Sequence, residues 1–115
     1  MHLPSADTAS IDSRKITDYL LSATHPGGRS KAVFFGRFGF SAENWRVLEA
    51  ALKEHACTAD VVSRIETRFG TKYTLQGVLA AADGRTPRVR SVWFVAMGER
   101  VPRLVTAFPA PGEHS

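Results

Sequence analysis

A histidine and a lysine lie six residues apart on either side of a proline–glycine–glycine turn at residues 26–28. His25 precedes this turn, and Lys31 follows it at the start of an apolar run. Histidine transfers protons near neutral pH, and a lysine ammonium stabilises the charge of a reacting phosphate. The spacing therefore predicts a site that binds or cleaves a phosphodiester. In the structural alternative, His25 caps the carbonyls of a helix end and the Lys31 stem covers Phe35.

Positive charge is concentrated in the second half of the chain. Residues 60–108 carry eight lysines and arginines against four acidic residues. This excess of four positive charges equals the net charge of the whole chain, +4. Seven of the eight are arginine, whose planar guanidinium suits bidentate phosphate contacts better than a lysine ammonium does. This excess favours a partner that carries phosphates, although it also suits a solvated sheet surface protected against edge pairing.

Metal-independent RNA cleavage requires a base for the 2′-hydroxyl, an acid for the leaving oxygen and cations around the phosphate. In this hypothesis His25 transfers the proton, Lys31 and Arg90 hold the phosphate, and Thr106 orients it. The further substrate-binding candidates are Ser91, Arg103, Tyr73 and Arg29.

Each candidate on the sheet also has a structural interpretation. Arg90 pairs equally well with a carboxylate such as Glu66, and Ser91 and Thr106 are typical of packed strand residues. Tyr73 is more often a core residue than a platform for a base.

Several chemistries lack support in the sequence. Cys57 is the only cysteine, so neither a disulfide framework nor a thiolate metal cluster is predicted. No histidine or acidic spacing is typical of zinc sites, and residues 27–31 lack the glycine spacing of a phosphate-binding loop. We therefore expect no cofactor and no metal. Without a signal peptide pattern or an apolar run of about 20 residues, we expect a cytoplasmic protein that does not insert into membranes.

The chain length of 115 residues predicts a single domain, with an ordered core at about 11–108 and flexible tails. Asp12 or Ser13 caps a first helix, whose apolar stripe includes Tyr19 and which ends at the turn at 26–28. A second helix over 31–38 ends at Gly39, and Ser41 is the expected N-cap of a third.

After residue 58 the apolar residues alternate, which predicts strands over 61–67, 72–79, 88–96 and 103–108. In the fourth strand, strict alternation places Leu104, Thr106 and Phe108 on one face. Short connections between the four strands favour an antiparallel meander. The predicted fold class is thus α+β, with N-terminal helices packed on a four-stranded antiparallel sheet.

Four sequence motifs match a family of uncharacterised bacterial domains that occur alone and at the C-termini of large polymorphic toxins. The motifs are Tyr-Leu-Leu at 19–21, His-Pro-Gly-Gly-Arg-Ser-Lys-Ala-Val-Phe-Phe at 25–35, Val-Arg-Ser-Val-Trp at 89–93 and Pro-Arg-Leu-Val-Thr at 102–106. The chain resembles this family over nearly its whole length. Its order of helices and sheet also resembles the small ribonuclease toxins related to barnase and RelE.

The resemblance implies a metal-independent ribonuclease toxin of a toxin–antitoxin or polymorphic-toxin system. RNA and an acidic antitoxin or immunity protein are the partners that it implies, since both complement a positive surface. The alternative is a module that binds protein or nucleic acid without catalysis.

Overall fold

The helices come first in the chain, as the capping residues and apolar spacing predict. The computed structural model describes residues 1–22 and 24–112. A 3₁₀ turn over Ala6–Thr8 comes first; the helices are then Ser13–Lys15 with Ile16–Leu20 (together α1), Arg29–Arg37 (α2) and Trp45–Thr58 (α3). No helix in these two described ranges is long and apolar enough to cross a membrane.

α1 begins where the sequence predicts but changes its winding after one turn. The Asp12 carboxylate caps it and accepts a hydrogen bond from the Arg14 N–H at 3.0 Å. The second part is a π-helix, in which the Leu21 N–H donates to the Ile16 carbonyl at 2.8 Å. The helix ends at Leu20, before the predicted end at the turn at 26–28. Ala23, which the predicted helix includes, lies outside the described residues.

α3 begins later than the predicted N-cap. Ser41 and Asn44 bind each other: the Ser41 N–H donates to the Asn44 Oδ1 at 2.7 Å, and the Asn44 N–H donates to the Ser41 Oγ at 3.4 Å. These bonds close a turn of their own, since short polar side chains compete with helical hydrogen bonding. Asn44, rather than Ser41, therefore precedes the first residue of α3.

The second half of the chain forms one antiparallel sheet in sequence order. The strands are Asp60–Thr67 (β1), Gly70–Val78 (β2), Arg88–Ala96 (β3) and Arg103–Pro109 (β4). The predicted α+β class is confirmed. The strand bounds agree with the alternating apolar pattern to within two residues.

A β-bulge in β4 changes the predicted faces of that strand. Leu104 pairs with Trp93, whereas Thr106 pairs with Val92, so Val105 is the extra residue. The prediction that Leu104 and Thr106 share a face is therefore wrong. Because directly paired residues share a face, Leu104 joins the core beside Trp93 and Thr106 lies on the side of Val92.

The first ten residues are attached to the sheet at both ends of the segment, although the sequence favours a loose tail. Leu3 is 3% exposed, and the Met1 carbonyl accepts a hydrogen bond from the Val61 N–H at 2.9 Å. Ser10 forms a parallel bridge with Arg103 at the start of β4. This bridge directs the chain into α1 beside the β4 edge of the sheet.

Candidate active site

Tyr19 is the centre of a polar cluster beside β4. It lies in the π-helical part of α1 and is half-buried. A cleft of about 610 Å³ opens in front of it. The residues that line the cleft are Asp12, Arg14, Lys15, Asp18, Tyr19, His25, Val105 and Thr106. Two predicted catalytic residues, His25 and Thr106, thus meet in one cleft.

His25 lies against Tyr19 on the loop that joins α1 to α2. The two rings meet edge to face, with centroids 5.1 Å apart. The His25 Nδ1 accepts a hydrogen bond from the Gly27 N–H at 3.0 Å, and the backbone N–H of His25 donates to the Ser22 Oγ at 3.1 Å. An accepting Nδ1 places the proton of the neutral imidazole on Nε2. In this arrangement the His25 Nε2–H can act as a hydrogen-bond donor, and the ring is poorly placed to remove a proton.

Two lysines bring positive charge to Tyr19 from different helices. The Lys31 Nζ lies 5.3 Å from the centre of the Tyr19 ring, and the Lys15 Nζ lies 5.8 Å from it. Lys31 is in the first turn of α2, where side chains point back towards the helix N-terminus. Its ammonium donates to the Gly27 carbonyl at 3.1 Å. Lys31 and His25 therefore both lie against the Tyr19 ring.

Thr106 reaches Tyr19 because of the bulge in β4. The Thr106 Oγ1 donates to the Tyr19 hydroxyl oxygen at 3.4 Å. In a regular strand this residue would share the face of Leu104, which is 4% exposed. Bulges commonly re-aim a side chain beside a functional site. The extra residue Val105 thus explains how a polar group of β4 enters the cleft.

The surroundings of Tyr19 stabilise its phenolate. The Thr106 hydrogen bond is the largest cause of a lowered Tyr19 pKa, and the hydrogen bond and charge of Lys31 and the charge of Lys15 act in the same direction. Partial burial opposes them but does not reverse the direction. A lowered pKa makes the phenolate available at less alkaline pH.

Gly28 holds the loop against α1. A Cβ at this position would lie 1.9 Å from the Tyr19 carbonyl oxygen, so only glycine permits the observed approach. Its N–H donates to the His25 carbonyl at 3.0 Å. The backbone of the loop therefore sets the distance between the His25 and Tyr19 rings.

The predicted arginines lie outside this cluster. Arg90 is on the same face as Thr106, but its Nε donates to the Gln76 Oε1 at 2.8 Å, so it extends towards β2. Arg103 is exposed, with its guanidinium 3.5 Å from the Glu99 carboxylate. Arg29 lines a separate depression with Pro26, Ser30 and Val33.

Ser91 and Tyr73, which the sequence analysis proposes as substrate contacts, are both buried. Ser91 is 0% exposed. Its hydroxyl accepts from the Trp93 Nε1 at 2.8 Å and lies 2.8 Å from the His55 Nδ1. Tyr73 is 7% exposed and packs in the core cluster. Neither side chain has a free surface for a base or a phosphate.

Sequence reasoning assigned Tyr19 to the apolar stripe of the first helix and missed it as a site residue. Periodicity alone cannot separate a core tyrosine from one whose hydroxyl reaches a cleft. The available signal was its spacing, four residues after Lys15 on one helical face.

Comparison with known proteins agrees with this fold. A family model described as a domain of unknown function matches residues 2–111. The chain belongs to the DUF6883 family. No protein with a curated description matches the sequence.

The DUF6883 chain is also similar to a chain in a solved structure of a contact-dependent growth inhibition toxin–immunity protein complex from Klebsiella pneumoniae 342. The TM-score is 0.72 at 16% sequence identity, and the match covers 93% of this chain and 97% of that chain. At this identity the similarity establishes a shared fold.

Proposed function

We propose that this protein is an RNA-cleaving toxin of a bacterial toxin–immunity system and that it acts at the Tyr19 cleft. The observation that carries the proposal is the convergence of His25, Lys31 and Thr106 on Tyr19. Three of the four residues predicted to be catalytic come from separate elements and contact one side chain.

The fold supports a toxin–immunity context. The similar solved chain comes from a complex whose two kinds of component are a toxin and its immunity protein. The net charge of +4 favours the toxin role for this chain. A protein that blocks a phosphate-binding cleft must present negative charge, so the immunity partner is expected to be acidic.

The chemistry of the cleft suits phosphodiester transesterification. The substrate 2′-hydroxyl attacks the neighbouring phosphorus and the 5′-oxygen leaves, which gives a 2′,3′-cyclic phosphate and a 5′-hydroxyl end. The ammonium groups of Lys15 and Lys31 stabilise the added negative charge at phosphorus, because fixed charges in a cleft need little reorganisation. The His25 Nε2–H donates to a non-bridging oxygen, while the Thr106 hydroxyl keeps its hydrogen bond to the Tyr19 oxygen.

Induced expression in a bacterial host tests this proposal. Wild-type protein is expected to arrest growth and fragment cellular RNA, whereas His25→Ala, which lacks the imidazole, is expected to do neither. His2→Ala removes an exposed histidine outside the cleft and is the matched control. Intact RNA and normal growth with soluble, folded wild type would contradict the proposal and favour a binding module without catalysis.

A further inference from the structure

The reaction proposed for the cleft requires a group that removes the 2′-hydroxyl proton. His25 was the sequence-based candidate, but its Nδ1 is occupied by the Gly27 N–H at 3.0 Å and its Nε2 carries the remaining proton. If the ring proton moved to Nδ1 to make Nε2 a base, the Nδ1–H would face the Gly27 N–H, and two donors would point at each other. The base must therefore be sought elsewhere in the cleft.

We propose that Tyr19, as its phenolate, is the general base of this cleft. The inference rests on the proposed ribonuclease function and names a catalytic residue for it. Tyr19 is half-buried, lines the cleft, and has its hydroxyl at 3.4 Å from the Thr106 Oγ1. It is the one side chain that His25, Lys31 and Lys15 all contact among the described residues.

The charged groups around Tyr19 favour an anion at its oxygen. Lys15 of its own helix and Lys31 of α2 both lie within 6 Å of the ring centre, at 5.8 and 5.3 Å. His25 presents a ring edge from the loop, and β4 contributes the Thr106 hydroxyl as a donor.

The acidic groups of the cleft do not cancel this effect. Asp12 is held by Arg14 at 3.0 Å, and Asp18 accepts from the Thr17 hydroxyl at 3.1 Å. The pKa of Tyr19 is accordingly lowered, chiefly by the Thr106 hydrogen bond and then by Lys31 and Lys15.

The proton balance of the step follows directly. The Tyr19 phenolate takes the proton of the 2′-hydroxyl, and the O–H electron pair forms the bond to phosphorus. The bond from phosphorus to the 5′-oxygen breaks with its electron pair on oxygen, which takes a proton from water. The hydroxide that remains removes the phenol proton of Tyr19 and restores the phenolate.

A pH–rate profile of RNA cleavage by purified protein tests the assignment. Wild type is expected to gain about tenfold in rate per pH unit below the pKa of Tyr19, because the phenolate fraction rises in that proportion. Tyr19→Phe is expected to lose roughly 100-fold or more of the rate, together with this pH dependence. Lys31→Met and Thr106→Val are expected to move the profile to higher pH, whereas Lys53→Met, an equal charge loss on an exposed site of α3, is not.

Ultraviolet absorbance of the phenolate supplies a readout that does not require activity. The wild-type titration minus that of Tyr19→Phe gives the pKa of Tyr19, which is expected to lie below the ordinary value of 10.0 and to rise in Lys31→Met. Wild type that leaves RNA intact overturns the ribonuclease proposal itself. Wild type that cleaves RNA, with Tyr19→Phe equally fast and the same pH profile, overturns only the assignment of the base.

Discussion

At the scale of single residues, Tyr19 is the side chain on which His25, Lys31 and Thr106 converge. His25 and Lys31 were recognisable because a histidine, a lysine and a Pro-Gly-Gly turn are an unusual combination between two apolar runs. Tyr19 was hidden, since an apolar stripe includes it at the correct helical spacing. Its role depends on contacts from α2 and β4, and no local pattern in α1 encodes those contacts.

Substitution of Gly28 tests whether the close approach of the loop to α1 fixes the position of the His25 ring. In Gly28→Ala the new Cβ would lie 1.9 Å from the Tyr19 carbonyl oxygen, so the loop must shift away from α1. We expect a lower melting temperature and a changed environment of the His25 ring, measured by thermal unfolding and by NMR of the imidazole.

Gly36→Ala is the matched control for this substitution. Gly36 lies within α2, and its Cβ would meet no atom within 4 Å. Because alanine is the better helix former, this variant is expected to be more stable by about 0.5–1 kcal/mol. Equal behaviour of the two alanine variants would show that Gly28 does not fix the loop.

At the scale of elements, the positions of the strands were predictable from the sequence. Which residues of a strand face the core was predictable only in part. Val89, Ser91 and Trp93 alternate with outward-facing residues, and the structure buries all three. In β4 the bulge at Val105 breaks the alternation, because one extra residue reverses every face beyond it. No residue type at Val105 announces this feature, so the side of Thr106 required the structure.

A buried hydrogen-bonded chain joins α3 to the sheet. The His55 Nε2 lies 3.1 Å from the Gly77 carbonyl and 3.0 Å from the Val89 carbonyl, while Nδ1 faces the Ser91 hydroxyl. His55 is 1% exposed, and burial lowers its pKa, so the folded state holds the neutral ring.

Because His55 is buried as a neutral ring, we expect acid to lower the free energy of unfolding of the protein. The unfolded state binds a proton near pH 6.5 and the folded state only at lower pH, so the contribution is complete above pH 6.5 and is lost as the pH falls. His55→Ala should lower the free energy of unfolding by about 3 kcal/mol at pH 8, because it leaves buried polar groups unpaired.

Urea unfolding of wild type and His55→Ala between pH 8 and pH 5 measures this effect. The difference in free energy of unfolding between the two proteins is expected to narrow as the pH falls, since only wild type loses the contribution of the neutral His55 ring. A gap that is constant over this range would contradict a buried neutral His55.

At the scale of the whole molecule, the topology brings the helices and the sheet together at the candidate site. The chain order of helices followed by a meander was predictable from the change of apolar period after residue 58. The placement of α1 beside β4 was not, because it depends on the bridge between Ser10 and Arg103. That bridge joins residues 93 positions apart and brings the helical half of the site to the sheet half.

RNA cleavage by purified protein is the most direct test of the central claim, that the Tyr19 cleft is a phosphodiester-cleaving site. Wild type is mixed with RNA in the presence of a chelator, and the product ends are identified. We expect fragments with 2′,3′-cyclic phosphate and 5′-hydroxyl ends, and no fragments from a Lys15→Met, Lys31→Met double variant of native stability. Intact RNA with wild type, or equal cleavage by the double variant, would contradict the account.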